Sequence, residues 1–162
     1  MLKQILTLAV IASFTVAPAM AQSESDIAKV RDGQSCQGCN LFQAELTFQD
    51  AEKIDLSQAR LRQSNLALTT FDDVNLSGAN LSIANLFGAR FNRANFSRAN
   101  MQNVIAVGTY FGSSNLSGAD LSGANLSGAD LTIVKGLTQP QLNRACGDGY
   151  TRLPKGKTVP VC

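Results

Sequence analysis

Ala119-Asp120-Leu121-Ser122-Gly123-Ala124-Asn125-Leu126-Ser127-Gly128 is one five-residue unit written twice. Outward from it, a large apolar residue recurs at every fifth position. The series is Leu41, Leu46, Leu56, Leu61, Leu66, Phe71, Leu76, Leu81, Leu86, Phe91, Phe96, Met101, Phe111, Leu116, Leu121, Leu126 and Leu131, with Ala51 and Ala106 its small members. A second series of mostly small residues, including Cys39, Ala44, Ala59, Ala79, Ala99 and Ala119, runs two positions upstream. An α-helix cannot use this spacing, because five residues advance it by about 500° and successive leucines drift around its axis. Strand alternation fails as well, since a period of five changes face at each repeat. The chain therefore turns a corner every five residues, so that each central side chain points inward again. Coils of this kind stack at about 4.8 Å, pairing their backbones vertically.

Asn80-Leu81-Ser82 and the two units quoted above carry the A-(D/N)-L-x-x pattern, and residues 39–133 resemble the pentapeptide-repeat family on that basis. The resemblance implies an all-β fold, a right-handed quadrilateral β-helix with four sides to a 20-residue coil. Stacking at that register makes a rod about 23 Å tall. It sets Phe71, Phe91 and Phe111 in one inner column with Ala51. It also sets Ala106 where Leu46, Leu66, Leu86 and Leu126 stand, so the coil is expected to be least regular over residues 104–110, with Val104 nearest the gap. Gln49 is the awkward member of the small inward series.

The ends need caps, because an open solenoid exposes apolar core and unpaired backbone. Residues 1–21 read as a signal peptide: Lys3, an apolar run from Ile5 to Val16, and the small-x-small site Ala19-Met20-Ala21. Residues 22–38 are a polar lead-in and cap without a period, with Gln22 to Asp26 expected to be flexible. Over residues 134–162, Thr138-Gln139-Pro140-Gln141 reads as the start of a short helix, with Thr138 as N-cap and Gln141 three residues on. The resemblance to secreted members of the family continues through Leu137-Thr138-Gln139, Ala145-Cys146-Gly147-Asp148 and Leu153-Pro154 to Cys162, which implies a capping tail.

Four cysteines in an exported chain are an even set and point to disulfides. The expected pairs are Cys36–Cys39 at the entrance and Cys146–Cys162 in the tail. A redox reading of the Cys-x-x-Cys motif needs a helix N-terminus after the first cysteine, and here β-coil follows. A four-cysteine zinc site would need both pairs within reach of one ion, across a rod about 23 Å tall. No metal ligands and no cofactor are expected.

The net charge of +2 obliges neither an acidic nor a basic partner. Histidine is absent, which removes the commonest general base near neutral pH. Serines such as Ser117, Ser122 and Ser127 belong to the repeat, and Asp55, Asp72, Asp73, Asp120 and Asp130 are scattered outward. Some members of the family mimic DNA; that role needs an acidic surface, whereas residues 40–133 hold eight acidic and six basic side chains. Nucleic acid is not an expected partner, and neither is stable insertion in a membrane after cleavage. The less ordinary outward side carries Phe48 over Leu68 and Phe87 over Val107, beside Ile105, as a candidate interface. Cover by the N-terminal segment or a loop, a protein partner and a second copy are the alternatives there. The leading expectation is a non-catalytic scaffold or protein-binding module, periplasmic or secreted. A small-ligand module for carbohydrate or metal comes second, and a hydrolase last.

Overall fold

A computed structural model describes residues 22–162, and the expected signal peptide lies outside the described residues. The chain winds as a parallel β-helix. Regular strand is sparse, because each side contributes about one bridging residue: only β1 (Asp50–Glu52) and β2 (Thr70–Asp72) qualify as strands, pairing in parallel with Ala51 opposite Phe71. Isolated parallel bridges do the rest. Asn40↔Arg60↔Asn80↔Asn100↔Asp120 forms one ladder and Glu45↔Asn65↔Asn85↔Ile105↔Asn125 the next. Thr70↔Arg90↔Tyr110↔Asp130 extends the β1–β2 ladder, and Asp55↔Asn75↔Asn95↔Asn115↔Lys135 completes the set. Four ladders in each 20-residue coil is the observed register.

Two residues of each unit make the corner. The carbonyl of the central residue accepts from the N–H three residues on, as in Ala59 N to Leu56 O at 3.1 Å and Ala79 N to Leu76 O at 3.1 Å. Such a β-turn needs a left-handed third residue. Every position two past the central residue from Gln43 to Gly128 meets that need, with φ between +54° and +71°. The Asn or Asp before the central residue acts next. Its side-chain oxygen accepts from the N–H two residues on, as in Ser77 N to Asn75 Oδ1 at 3.2 Å and Ser122 N to Asp120 Oδ1 at 3.1 Å. The same amides also stack between coils, Asn85 Nδ2 reaching Asn65 Oδ1 at 3.0 Å and Asn75 Nδ2 reaching Asp55 Oδ1 at 3.0 Å.

Inside, the central residues are buried from Leu41 to Leu131. Phe71 meets Phe91 edge-on at 6.1 Å between centroids, and Phe91 stacks on Phe111 at 6.0 Å. Where the small series carries a hydroxyl, it is satisfied within the wall: Ser64 donates to Leu61 O at 2.7 Å, Thr109 to Leu86 O at 2.7 Å and Ser114 to Phe91 O at 2.6 Å. Gln49, at the first coil, stays half-buried. The irregularity expected over residues 104–110 is absent. Ile105 and Tyr110 bridge in register on both sides, and Val104 and Ala106 are fully buried. Ala106 shares its coil with Phe111, whose ring packs against Phe91 and Phe96. The backbone register follows its hydrogen bonds, which a small side chain leaves intact.

The N-terminal lead-in differs from its expectation. Rather than a flexible stretch, residues from Glu24 form a helix, α1 (Glu24–Arg31), opened by Ser23, whose hydroxyl accepts from Asp26 N–H at 3.3 Å. Glu24 and Asp26 sit in its first turn, Lys29 and Arg31 in its last, which suits the helix dipole. Ile27 and Val30 are buried one turn apart and close the top of the core. The lead-in also satisfies three of the four ladder tops. Ser23 N–H donates to Asn40 O at 3.1 Å, Arg31 to Glu45 O at 2.9 Å, and Cys36 N–H to Asp55 O at 2.7 Å. The fourth top is β1, a three-residue edge flanked by Asp50 and Glu52, whose charges oppose strand addition.

At the far end, α2 (Gln139–Leu142) starts at Thr138 with a capping box completed by Gln141. It lies beneath the side where a further coil would continue. Gln141 is buried, and its amide donates to Leu116 O at 2.9 Å and Ala119 O at 2.8 Å. After the helix the tail rejoins two ladders, Asn125↔Cys146 and Asp130↔Arg152, at separations of 21 and 22 residues instead of 20. The structure holds disulfides Cys36–Cys39 at one end and Cys146–Cys162 at the other. Among the described residues no helix is long and apolar enough to cross a membrane.

Candidate interaction face

One side of the coil departs from the repeat's own rules. It lies between the corner column Gln43, Gln63, Ile83, Asn103, Gly123 and the column Phe48, Leu68, Gly88, Gly108, Gly128. Backbone bonds set its register: Phe48 N–H donates to Ala67 O at 3.2 Å, Leu68 N–H to Phe87 O at 2.9 Å and Gly88 N–H to Val107 O at 2.9 Å. Phe48 therefore stands over Leu68, Phe87 over Val107, and Ile105 lies in the ladder beside them. The Leu68 side chain drapes across the next corner, where a Cβ on Gly88 would come within 2.7 Å of its Cδ2.

Phe48 is 74% exposed, Phe87 50%, Ile105 47%, Leu68 45% and Ile83 44%. In the repeat body, residues 39–133, one other large hydrophobic is exposed, Ile133 at 56% two past Leu131 and off this side; all the rest belong to this side or its bounding corners. Val107 is half-buried among them. Ile83 escaped the sequence reading because it lies on the other bounding corner; the left-handed position two past each central residue would have identified it. From residue 22 onward the lead-in touches only the upper rim, through Arg31 on Glu45 O, and leaves Phe48 uncovered.

Four of these residues weaken the scaffold where they sit. Phe48 and Leu68 at φ +58° and Ile83 at φ +60° occupy left-handed corners, a conformation glycine or asparagine adopts more cheaply. Ile105 stands where Asn85 and Asn125 flank it, so the amide stack is cut and Val107 N–H loses the turn acceptor its equivalents have. Sites where local preference yields to something else are where function is sought.

The next side is polar and ordinary by contrast. Arg93 forks onto Asp73, with Nη2 to Oδ2 at 2.6 Å and Nε to Oδ1 at 2.7 Å. The hydrogen bond from Arg93 holds the Asp73 carboxyl below its ordinary value. Arg90 spans Asp72 at 3.3 Å and lies over the Tyr110 ring at 5.9 Å. Surface pairs of this kind fix register and add little to stability. Shallow hollows occur at the C-terminal end, one of roughly 500 Å³ lined by Gly128, Asp130, Tyr150 and Arg152, but its carboxylate is occupied by Thr132 and Arg152.

The entrance turn brings together a group that the sequence reading did not assemble. One ligand atom from each of Asp26, Cys36 and Cys39 lies within 4.8 Å of the others. Asp26 went unnoticed because the helix that carries it did.

The family model for pentapeptide repeats matches residues 39–78, 54–93 and 94–132. No curated protein matches the chain. Among solved structures, the chain is 20% identical to QnrB1, a plasmid-mediated fluoroquinolone resistance protein, over 70% of this chain and 57% of that one, at a TM-score of 0.40. It is 25% identical to a pentapeptide repeat protein from the Arabidopsis thaliana thylakoid lumen, over 74% of this chain and 79% of that one, also at 0.40. A third, Rfr23 from the cyanobacterium Cyanothece 51142, is 21% identical over 80% and 97% of the two chains, at 0.32. The chain spans little more than half the length of the first of these.

Proposed function

The chain belongs to the pentapeptide-repeat family of protein-interacting scaffolds, and on that premise we propose that it is an exported, non-catalytic scaffold that binds a protein partner through its apolar side. The observation that carries the reading is the collection of Phe48, Leu68, Ile83, Phe87 and Ile105 on one side of the coil, at a cost to the repeat at four of them. Four ladders per coil support the family's right-handed, square cross-section, with residues 39–133 as the repeat body between a 22–38 cap and a 134–162 cap. The two disulfides and the leader-like residues 1–21 support export to a periplasmic or extracellular compartment.

The face has the dimensions of a helix-binding strip. Four coil levels span about 15–20 Å, and one side is a single short strand wide. Such a strip falls well below the roughly 800 Å² per partner of a standard interface, which disfavours a second copy docked by this side alone. An amphipathic helix laid along the rod fits better. Its turns repeat every 5.4 Å against coils at about 4.8 Å, so one apolar anchor per turn meets one coil over three to four turns.

The double variant Phe48→Ser/Phe87→Ser tests the reading. It is expected to keep the wild-type melting temperature and monomeric sedimentation while losing the cross-linked heteromeric species of the exported fraction. A wild-type dimer that disappears in the double variant would assign the face to a second copy and overturn the reading.

A further inference from the structure

The N-terminal cap holds three metal-ligating side chains on a frame that does not rely on the disulfide for its shape. Cys36 and Cys39 are buried at 6% exposure each. Their turn is tied to the next coil by Cys36 N–H on Asp55 O at 2.7 Å, by Gly38 N–H on Ser57 O at 2.8 Å, and by Arg60 N–H on Cys39 O at 2.8 Å. Gly38 supplies the left-handed residue of that turn at φ +69°. The Asp26 carboxylate is held as firmly, Oδ2 accepting from Asn40 N–H at 3.1 Å while Ile27 and Val30 anchor α1 in the core. Opening the S–S bond therefore leaves two thiols and a carboxylate facing one point, their ligand atoms already within 4.8 Å.

We propose that the reduced Cys36–Cys39 turn, with Asp26, is a site for a zinc-class divalent ion, so that the cap has a disulfide-closed and a metal-closed form. Two thiolates and one carboxylate suit a borderline-soft ion in tetrahedral geometry, with the fourth position left to water. The interconversion balances with an external dithiol as reductant. It gives two electrons and two protons to the Cys36–Cys39 bond and becomes a disulfide itself; the ion then displaces both thiol protons to solvent. Charge balances too. Two thiolates and Asp26 carry three negative charges, met by the ion and by the Lys29 ammonium 3.4 Å from Asp26 Oδ1. The Cys146–Cys162 pair has no such third donor grouped with it among the described residues.

The test adds Co²⁺ alone, without air, to phosphine-reduced protein in which Cys146 and Cys162 are both replaced by Ser. One ion per chain with thiolate-to-cobalt charge-transfer absorption is expected, displaced by Zn²⁺. Asp26→Asn should weaken the affinity about tenfold or more. Should the tail variant fail to fold, the reduced wild-type chain is compared with Cys36→Ser/Cys39→Ser, which must abolish the absorption. No charge-transfer absorption, equal affinity in Asp26→Asn, or absorption that survives Cys36→Ser/Cys39→Ser would overturn the proposal.

Discussion

Ile105 shows at a single position how this repeat trades regularity for surface. Its ladder neighbours Asn85 and Asn125 each accept a turn N–H at 3.0 Å, from Phe87 and Ser127, which isoleucine cannot do. Ile105→Asn restores that acceptor and rejoins the amide stack, at the loss of a side chain already 47% exposed. We expect stabilisation by about 1 kcal/mol, read as a raised melting temperature, together with weaker partner binding. A lowered melting temperature would show that Ile105 supports the coil rather than the face. The sequence made the inward residues readable one by one, because a five-residue period with corners leaves a large side chain only one place to go. The corners were less readable. Glycines 78, 88, 108, 118, 123 and 128 all fall two past a central residue, yet Phe48, Lys53, Ile83 and others adopt the same left-handed conformation, so glycine alone does not outline the position.

Among the elements, the two helical caps were unequally visible for a physical reason. In α2, Thr138, Pro140 and Gln141 spell a helix start, but the greater contribution of Gln141 is tertiary, as a donor to two carbonyls of the last coil that would otherwise meet no strand. Gln141→Ala should loosen the C-terminal cap by about 2–3 kcal/mol, seen as faster amide exchange in residues 139–146 with the central coils protected. Unchanged exchange would show that the tail is held by its bridges alone. The start of α1 was written as well, in Ser23 and Asp26 ahead of Ile27 and Val30, but two apolar residues in eight make a faint period, and its stability comes from docking on the open coil. That missed helix also hid the Asp26–Cys36–Cys39 cluster, which chain spacing does not announce. The last coil and the tail that caps it share an acid sensitivity. The Ser122 hydroxyl holds the Asp120 carboxyl below its ordinary value, the Thr132 hydroxyl does so for Asp130, and the Gly128 N–H does so for Asp148. Depressed carboxyls contribute stability above their unfolded value, and that contribution is lost as pH falls through the folded one. This end should therefore hold at neutral pH and loosen progressively below about pH 4, read by exchange or limited proteolysis. Tightening on acidification would contradict this.

As a whole molecule, the protein is a stack in which each coil contacts its neighbours and the ends are closed by different means, a docked helix with a cysteine turn above and a helix with a pinned tail below. Of the remaining sides, one carries the amide stack Asp55–Asn75–Asn95–Asn115 and another the ion pairs Arg90–Asp72 and Arg93–Asp73, and among the described residues none gathers exposed apolar side chains as this one does. On the proposed function, selectivity belongs to the side where repetition fails, between Phe48 and Val107. The most direct test places a photo-reactive amino acid singly at positions 48, 87 and 105, and at 98 and 117 on another side, in the protein expressed from its full sequence, and identifies the joined peptide by mass spectrometry. The account predicts one amphipathic helical segment of a different protein, captured from 48, 87 and 105 and not from 98 or 117. Equal capture from all five positions, or capture of this chain's own peptides from 48, 87 and 105, would contradict it.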